Sequence, residues 1–152
     1  MVDLKVNLSG LELDNPVIPA SGTFGYGMEF KDFYDLNILG SISIKGTTKE
    51  ERFGNNQPRI ADCTAGLINS IGLQNPGVDN VIKNELPMLE KFYEKPVIAN
   101  ISGFSVDEYK YCAQIMDKQK QVGIIEVNIS CPNVHNRWNE FWNKSKFSIW
   151  SN

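Results

Sequence analysis

Short apolar, β-branched runs recur along the chain at Val17 to Ala20, Ser41 to Ile44, Pro96 to Ala99 and Ile124 to Val127, and stretches of helical character lie between them. That alternation is the pattern of βα units around a parallel sheet. Between the last two runs, Val106, Tyr109, Ala113 and Met116 recur at helical spacing while Asp107, Glu108, Lys110, Asp117 and Lys118 fall mostly elsewhere, which predicts one amphipathic crossover helix over Val106 to Gln119. A second helix is expected from Val78 to Phe92, kinked or divided by Pro87, and a short third one from Met28 to Leu36. Ahead of the first run, Leu4 to Leu8 and Leu11 to Leu13 flank Ser9-Gly10, a turn signal that predicts a small hairpin plugging one end of the fold. No internal repeat or low-complexity segment is visible before residue 136.

Each apolar run stops at a polar residue: Ser21, Lys45, Asn100 and Asn128. Any one of these is an ordinary strand terminator. Four together suggest a site, because the C-terminal strand ends of a (β/α)8 barrel form its active-site face. Alternation puts Ser41, Ser43 and Lys45 on one face and Ile42 and Ile44 on the other, so the small serines beneath Lys45 would leave room inside. A whole barrel needs about 250 residues, and four strands are legible here. The fold expected is therefore α/β, the N-terminal half of a TIM (β/α)8 barrel with about four βα units behind a small β-hairpin.

Composition narrows the function. A chain of 152 residues, 41% hydrophobic and 22% charged, is an ordinary globular domain, and its net charge of −3 offers no footprint for nucleic acid. No apolar run approaches the roughly 20 residues of a membrane span, and Met1 to Gly10 lacks the basic-then-apolar order of a signal peptide, so a cytoplasmic protein is expected. Cys63, Cys112 and Cys131 are odd in number and widely, irregularly spaced, which suits neither a disulfide framework nor a CxxC metal site. The single histidine, His135, cannot build a multi-histidine metal site within this chain and reads as a loop cap.

The segment Asn128-Ile129-Ser130-Cys131-Pro132-Asn133-Val134-His135 follows the fourth strand directly and would place a thiol and two carboxamides above the site. A thiolate is a competent base or nucleophile once a nearby charge or amide dipole lowers its pKa, and Pro132 would fix the loop that presents it. Asn128 and Asn133 can each donate and accept, which suits a planar ligand with amide and carbonyl edges. Cys112, in the middle of the crossover helix, reads instead as a small buried hydrophobe, and Cys63 is undecided. The loop Gly22-Thr23-Phe24-Gly25-Tyr26-Gly27 fits neither the Walker A nor the Rossmann spacing and is assigned to backbone turning.

Asn128 to Asn136 resembles the Asn-Ile-Ser-Cys-Pro-Asn-Val-His-Asn signature of dihydroorotate dehydrogenases, particularly the NAD-linked (class 1B) catalytic subunit. Asn15-Pro16-Val17-Ile18-Pro19-Ala20-Ser21-Gly22, Lys45-Gly46-Thr47-Thr48, Asn69-Ser70-Ile71-Gly72-Leu73-Gln74-Asn75-Pro76-Gly77 and Ile98-Ala99-Asn100 agree with it, so the resemblance runs from residue 3 to 136. It implies oxidation of dihydroorotate to orotate, with FMN accepting hydride and Cys131 as the base. It further implies FMN contacts from Ser21, Lys45, Gly46, Asn100 and Asn128, and substrate contacts from Lys45, Asn69, Ser70, Ile71, Gly72, Leu73, Asn128 and Asn133. A homo-oligomer and a separate electron-transfer subunit carrying FAD and an iron-sulfur cluster are implied for the intact enzyme. Lys45 has an independent rationale, since a fixed cation beside the isoalloxazine stabilises the negative charge of reduced flavin. Two alternatives stay open: another FMN-dependent dihydropyrimidine oxidoreductase, and an inactive pseudogene fragment.

After Asn136 the pattern breaks. Trp138, Trp142 and Trp150 all fall in the last 15 residues and the βα rhythm stops. Residues 1–136 are therefore read as a partial FMN-binding barrel and 137–152 as a frame-shifted tail. With permitted codons, dropping one base at Arg137 lets the tail read Gly-Gly-Met-Asn-Phe-Gly-Thr-Asn-Pro-Asn-Leu-Ala-Phe-Gly-Val, which resembles the family's continuation. A truncated and inactive product is the expectation.

Overall fold

The computed structural model describes residues 2–129. It opens on a hairpin, β1 (Val6–Leu8) paired antiparallel with β2 (Leu11–Leu13) in the register Val6 with Leu13. The turn is the expected Ser9-Gly10, both residues at positive φ (51° and 93°). A Cβ at Gly123 would lie 2.9 Å from Leu11 Cδ2 and 2.8 Å from Pro96 Cβ, so the hairpin packs on the N-terminal ends of the two main strands. It is the plug that the sequence suggested.

Those strands are β5 (Val97–Ile101) and β6 (Val122–Val127), parallel, with Asn100 opposite Glu126. The segment through Ser43 and Thr47 runs along the other side of β5 as two parallel bridges, to Ile98 and Ile101. The backbone bonds Ile98 N–H to Ile42 O, Ile44 N–H to Ile98 O and Thr47 N–H to Asn100 O join them. The first expected strand, Val17 to Ala20, forms no ladder and holds its neighbour by the bond from Gly40 N–H to Val17 O. Pro16 and Pro19 remove two of the donors a ladder there would use. Consequently Ser21 does not close a strand but opens a single helical turn, α1 (Ser21–Phe24).

The crossover helix is α4 (Val106–Met116). Ser105 caps it by accepting from Glu108 N–H at 3.2 Å, and Glu108 Oε2 accepts in return from Phe104 N–H at 2.7 Å. Cys112 and Met116 are fully buried, whereas Val106 is 54% exposed and does not belong to the inward stripe to which its spacing assigned it. The second helical region begins as α2 (Val78–Asn80), widens into a π-helical stretch at Val81–Glu85 and ends as α3 (Leu86–Leu89). Pro87 explains the π turn: its ring cannot pack against the carbonyl of Lys83 in a regular α-helix, and the wider turn makes room.

The expected helix from Met28 to Leu36 is absent. Successive tight turns replace it, with Phe30 N–H bonded to Gly27 O and Phe33 N–H to Phe30 O, and a 3-10 turn follows at Leu36–Ile38. Gly25 and Gly27 at φ 63° and 82° redirect the chain, Phe30 stacks on Phe24 at 4.4 Å, and Asp35 accepts from Asn37 N–H to start the 3-10 turn. A second antiparallel hairpin, β3 (Ile60–Cys63) and β4 (Gly66–Asn69), was not foreseen. All eight of its positions are exposed, so no apolar alternation betrays it, and Cys63 sits on its surface.

The core joins Ile42, Ile44, Ala99 and Ile101 on the outer sheet face to Leu86, Leu89, Tyr93, Cys112 and Met116. The opposite face of the same strands carries Ser43, Ile98, Asn100, Ile124 and Glu126, and there the chain leaves space.

Candidate functional site

A cavity of about 520 Å3 lies against this inner face, lined among others by Ser9, Ser21, Ser43, Ile98, Ile124 and Glu126. Its size is that of a pocket for a small organic ligand. Strand alternation builds it: Ser43 contributes almost no volume, while the isoleucines at 98 and 124 stand in register across β5 and β6. The tip of the β1–β2 hairpin closes the N-terminal end, and Ser21, the first residue of α1, reaches the wall.

Polar groups gather toward the C-terminal strand ends. Glu126 Oε2 accepts from Ser43 Oγ at 2.7 Å and from Asn100 Nδ2 at 2.8 Å. Asn100 is 3% exposed, and its Oδ1 has no hydrogen-bond partner among the described residues. That oxygen faces Gly46, where a Cβ would fall 2.9 Å away, with Ser102 Oγ at 3.6 Å and Leu73 Cδ2 at 3.7 Å. A buried, unpartnered acceptor over a residue without a side chain is a notch shaped for a ligand atom that donates a hydrogen bond.

Lys45 is fixed through its backbone, its N–H donating to Gly25 O at 2.8 Å and its carbonyl accepting from Thr47 Oγ1 at 2.9 Å. The glycine loop assigned to backbone turning thus holds the strand that carries Lys45. Asn128 extends the β5–β6 pairing, with its N–H on Ile101 O at 2.9 Å, and its carbonyl accepts from Tyr109 Oη at 2.6 Å.

The loop from Asn69 to Leu73 approaches from the side. Leu73, at φ 58°, reaches Gly46 directly. Asn69 closes β4, Ser70 N–H donates to Arg59 O, Ile71 O accepts from Asn55 N–H, and Gly72 packs against the Asn55 carboxamide. Asn75 clamps the loop to the strand: its Oδ1 accepts from Thr48 N–H (3.1 Å) and Gly77 N–H (2.9 Å), and its Nδ2 donates to Leu73 O (2.7 Å) and Thr48 Oγ1 (2.9 Å). All four hydrogen-bonding positions of a buried carboxamide are used.

The structure therefore joins Gly46, Asn100 and Leu73 by direct approach and places Ser21 on the adjoining cavity wall. Cys131 and Asn133, with the rest of the motif loop from Ser130 and the tail, lie outside the described residues. Sequence reasoning missed Glu126, although the signal was present: a lone carboxylate inside an apolar strand, in phase with Ile124 and Asn128. No helix among the described residues is long and apolar enough to cross a membrane, and none of their His, Cys, Asp and Glu side chains form a metal-binding group.

Comparison with known proteins agrees with this architecture. The family model for dihydroorotate dehydrogenase matches residues 3–148. The chain is 55% identical over 133 residues to a protein of Malacoplasma penetrans and 56% identical over 131 residues to one of Bacillus pumilus. Both relatives are named dihydroorotate dehydrogenase B (NAD(+)), catalytic subunit. These matches cover 88% and 86% of this chain but 43% and 42% of the relatives, so the chain spans less than half their length. Among solved structures, the dihydroorotate dehydrogenase of Eimeria tenella in complex with ferulenol superposes with a TM-score of 0.58 at 20% identity, covering 88% of this chain and 38% of that one. A family model spanning nearly the whole chain settles its kinship: this protein belongs to the dihydroorotate dehydrogenase family.

Proposed function

We propose that this chain is the N-terminal half of an FMN-dependent dihydroorotate dehydrogenase catalytic subunit, built on four βα units of an eight-unit barrel and serving pyrimidine (UMP) biosynthesis. The observation that carries this reading is the notch at Gly46, where Asn100 Oδ1 is buried, unpartnered among the described residues and left uncovered by a side chain. Such an acceptor fits the N–H-bearing edge of an isoalloxazine, and the neighbouring cavity fits a planar ring. FMN bound here would supply a two-electron acceptor for hydride.

The chain's own residues do the rest. Gly46 and Asn100 would hold the ring edge, Ser21 and Asn128 would flank it, and the Lys45 ammonium would favour negative charge on the ring. Asn128, Asn133 and the Asn69 to Leu73 loop would orient dihydroorotate for hydride loss to the flavin. Cys131, as thiolate, removes the proton from the adjacent carbon, leaving the double bond of orotate. Reoxidation by NAD requires a second subunit, in keeping with the name that the relatives carry, and we assign it an FAD and an iron-sulfur cluster; the intact enzyme is a homo-oligomer of such pairs.

The chain as it stands is read as inactive for want of the rest of the barrel, so the test uses the catalytic subunit with its reading frame restored after Asn136: FMN-loaded and mixed anaerobically with dihydroorotate. Bleaching of the flavin, abolished in Cys131→Ala while FMN stays bound, is the expected result. Bleaching that persists in Cys131→Ala removes the cysteine from its role, and failure of dihydroorotate to bleach the flavin removes the substrate.

A further inference from the structure

Glu126 lines the cavity in register with Asn100, and the flavin reading gives it no role. Its Oε2 accepts from Asn100 Nδ2 (2.8 Å) on the neighbouring strand β5 and from Ser43 Oγ (2.7 Å) on the segment beyond it. The chemistry of these groups fixes an orientation. An ionised carboxylate accepts hydrogen bonds and cannot donate them, so only the NH2 end of the Asn100 carboxamide can face Glu126. The Oδ1 end must then point the other way, toward Gly46. Ser43, small and 6% exposed, holds the carboxylate from below by donating its only proton. Without Glu126, the carboxamide could turn over and present NH2 to the notch.

We propose that Glu126 is a positioning residue which locks the Asn100 carboxamide with Oδ1 toward the Gly46 notch, so that the site selects ligands presenting a hydrogen-bond donor there. Glu126 need not touch the ligand; it acts through Asn100. The inference rests on the flavin reading for the identity of the ligand, and on the geometry alone for the locked carboxamide.

The test is a double-mutant cycle on FMN affinity, measured by flavin fluorescence quenching in the full chain. Glu126→Ala is expected to weaken FMN about tenfold, the scale of one well-aligned hydrogen bond, and by less than about twofold in an Asn100→Ala background. Glu126→Gln, which keeps a carbonyl acceptor for Nδ2, should recover affinity to within about threefold of the parent. A purely structural Glu126 would give additive losses in the cycle, which overturns the proposal. A second readout needs no ligand: the Asn100 side-chain NH2 proton resonances should move upfield in Glu126→Ala and stay near their original position in Glu126→Gln. An unmoved NH2 signal in Glu126→Ala overturns the lock. If the parent chain does not bind FMN, the flavin reading fails, while the NH2 signal still decides for or against the lock.

Discussion

A missing side chain shapes the notch. Gly46 stands where a Cβ would press to 2.9 Å on Asn100 Oδ1, closer than carbon and oxygen tolerate, and Leu73 and Ser102 leave little room for retreat. Gly46→Ala is therefore expected to push Asn100 aside and weaken FMN binding about tenfold or more, for about 1–2 kcal/mol of strain. A fluorescence titration of the variant checks this, and an unchanged Kd would mean that the notch is not where the flavin sits. The sequence marked Gly46 and Asn100 by resemblance, but it could not show that one faces the other. Their approach depends on the register between β5 and the segment through Ser43 and Thr47, a contact across more than 50 residues. Glu126 was equally visible as a residue type, yet its bonds to Asn100 and Ser43 depend on the phase of β6, which brings this exposed glutamate against the inner face.

Elements built from local signals were legible in the sequence. The β1–β2 hairpin announces itself through Ser9-Gly10, and α4 through its spacing and the Ser105 cap. The strands now seen as β5 and β6 stand out as apolar runs, β5 buried throughout and β6 only partly. What stayed hidden was set by distant packing or by none: the turns at 25–33 depend on Phe24 stacking with Phe30, and the β3–β4 hairpin buries nothing that a pattern could reveal. The loop from Asn69 to Asn75 belongs to this second kind, because Asn75 holds it by four hydrogen bonds that no periodicity encodes. Asn75→Ala would orphan the buried Thr48 N–H and release Leu73, costing about 2–3 kcal/mol. Urea denaturation should show that loss, and orotate affinity should fall with it if the loop holds substrate. Retained stability would show that water replaces the carboxamide.

On the scale of the whole molecule, one core shields the outer sheet face while the inner face stays open to a ligand. Burial in that core has a titration signature. The Cys112 thiol is pushed up to about 11, chiefly by desolvation and secondarily by Glu108 and Asp79, from an ordinary value of 9.0. Burial likewise raises the hydroxyls of Tyr26 and Tyr93. A group whose folded pKa lies above its unfolded one contributes stability that is complete below the unfolded pKa and is lost as pH climbs through the folded one. The melting temperature should therefore hold up to about pH 8.5, fall between about pH 9 and 11 as Cys112 is drawn toward ionisation, and fall further as the tyrosines follow. Cys112→Ala should flatten the first part of that decline, and a profile identical to the parent's would show that Cys112 does not drive it. The central claim is that the strand tips and the loop around Gly46 serve one flavin pocket, and amide chemical-shift mapping during an FMN titration tests it most directly. Ser21, Lys45, Gly46, Leu73, Asn100 and Asn128 should shift together along one binding curve while the exposed β3–β4 hairpin, Cys63 included, stays still. Shifts scattered over the surface, or separate curves for Gly46 and Ser21, would contradict it.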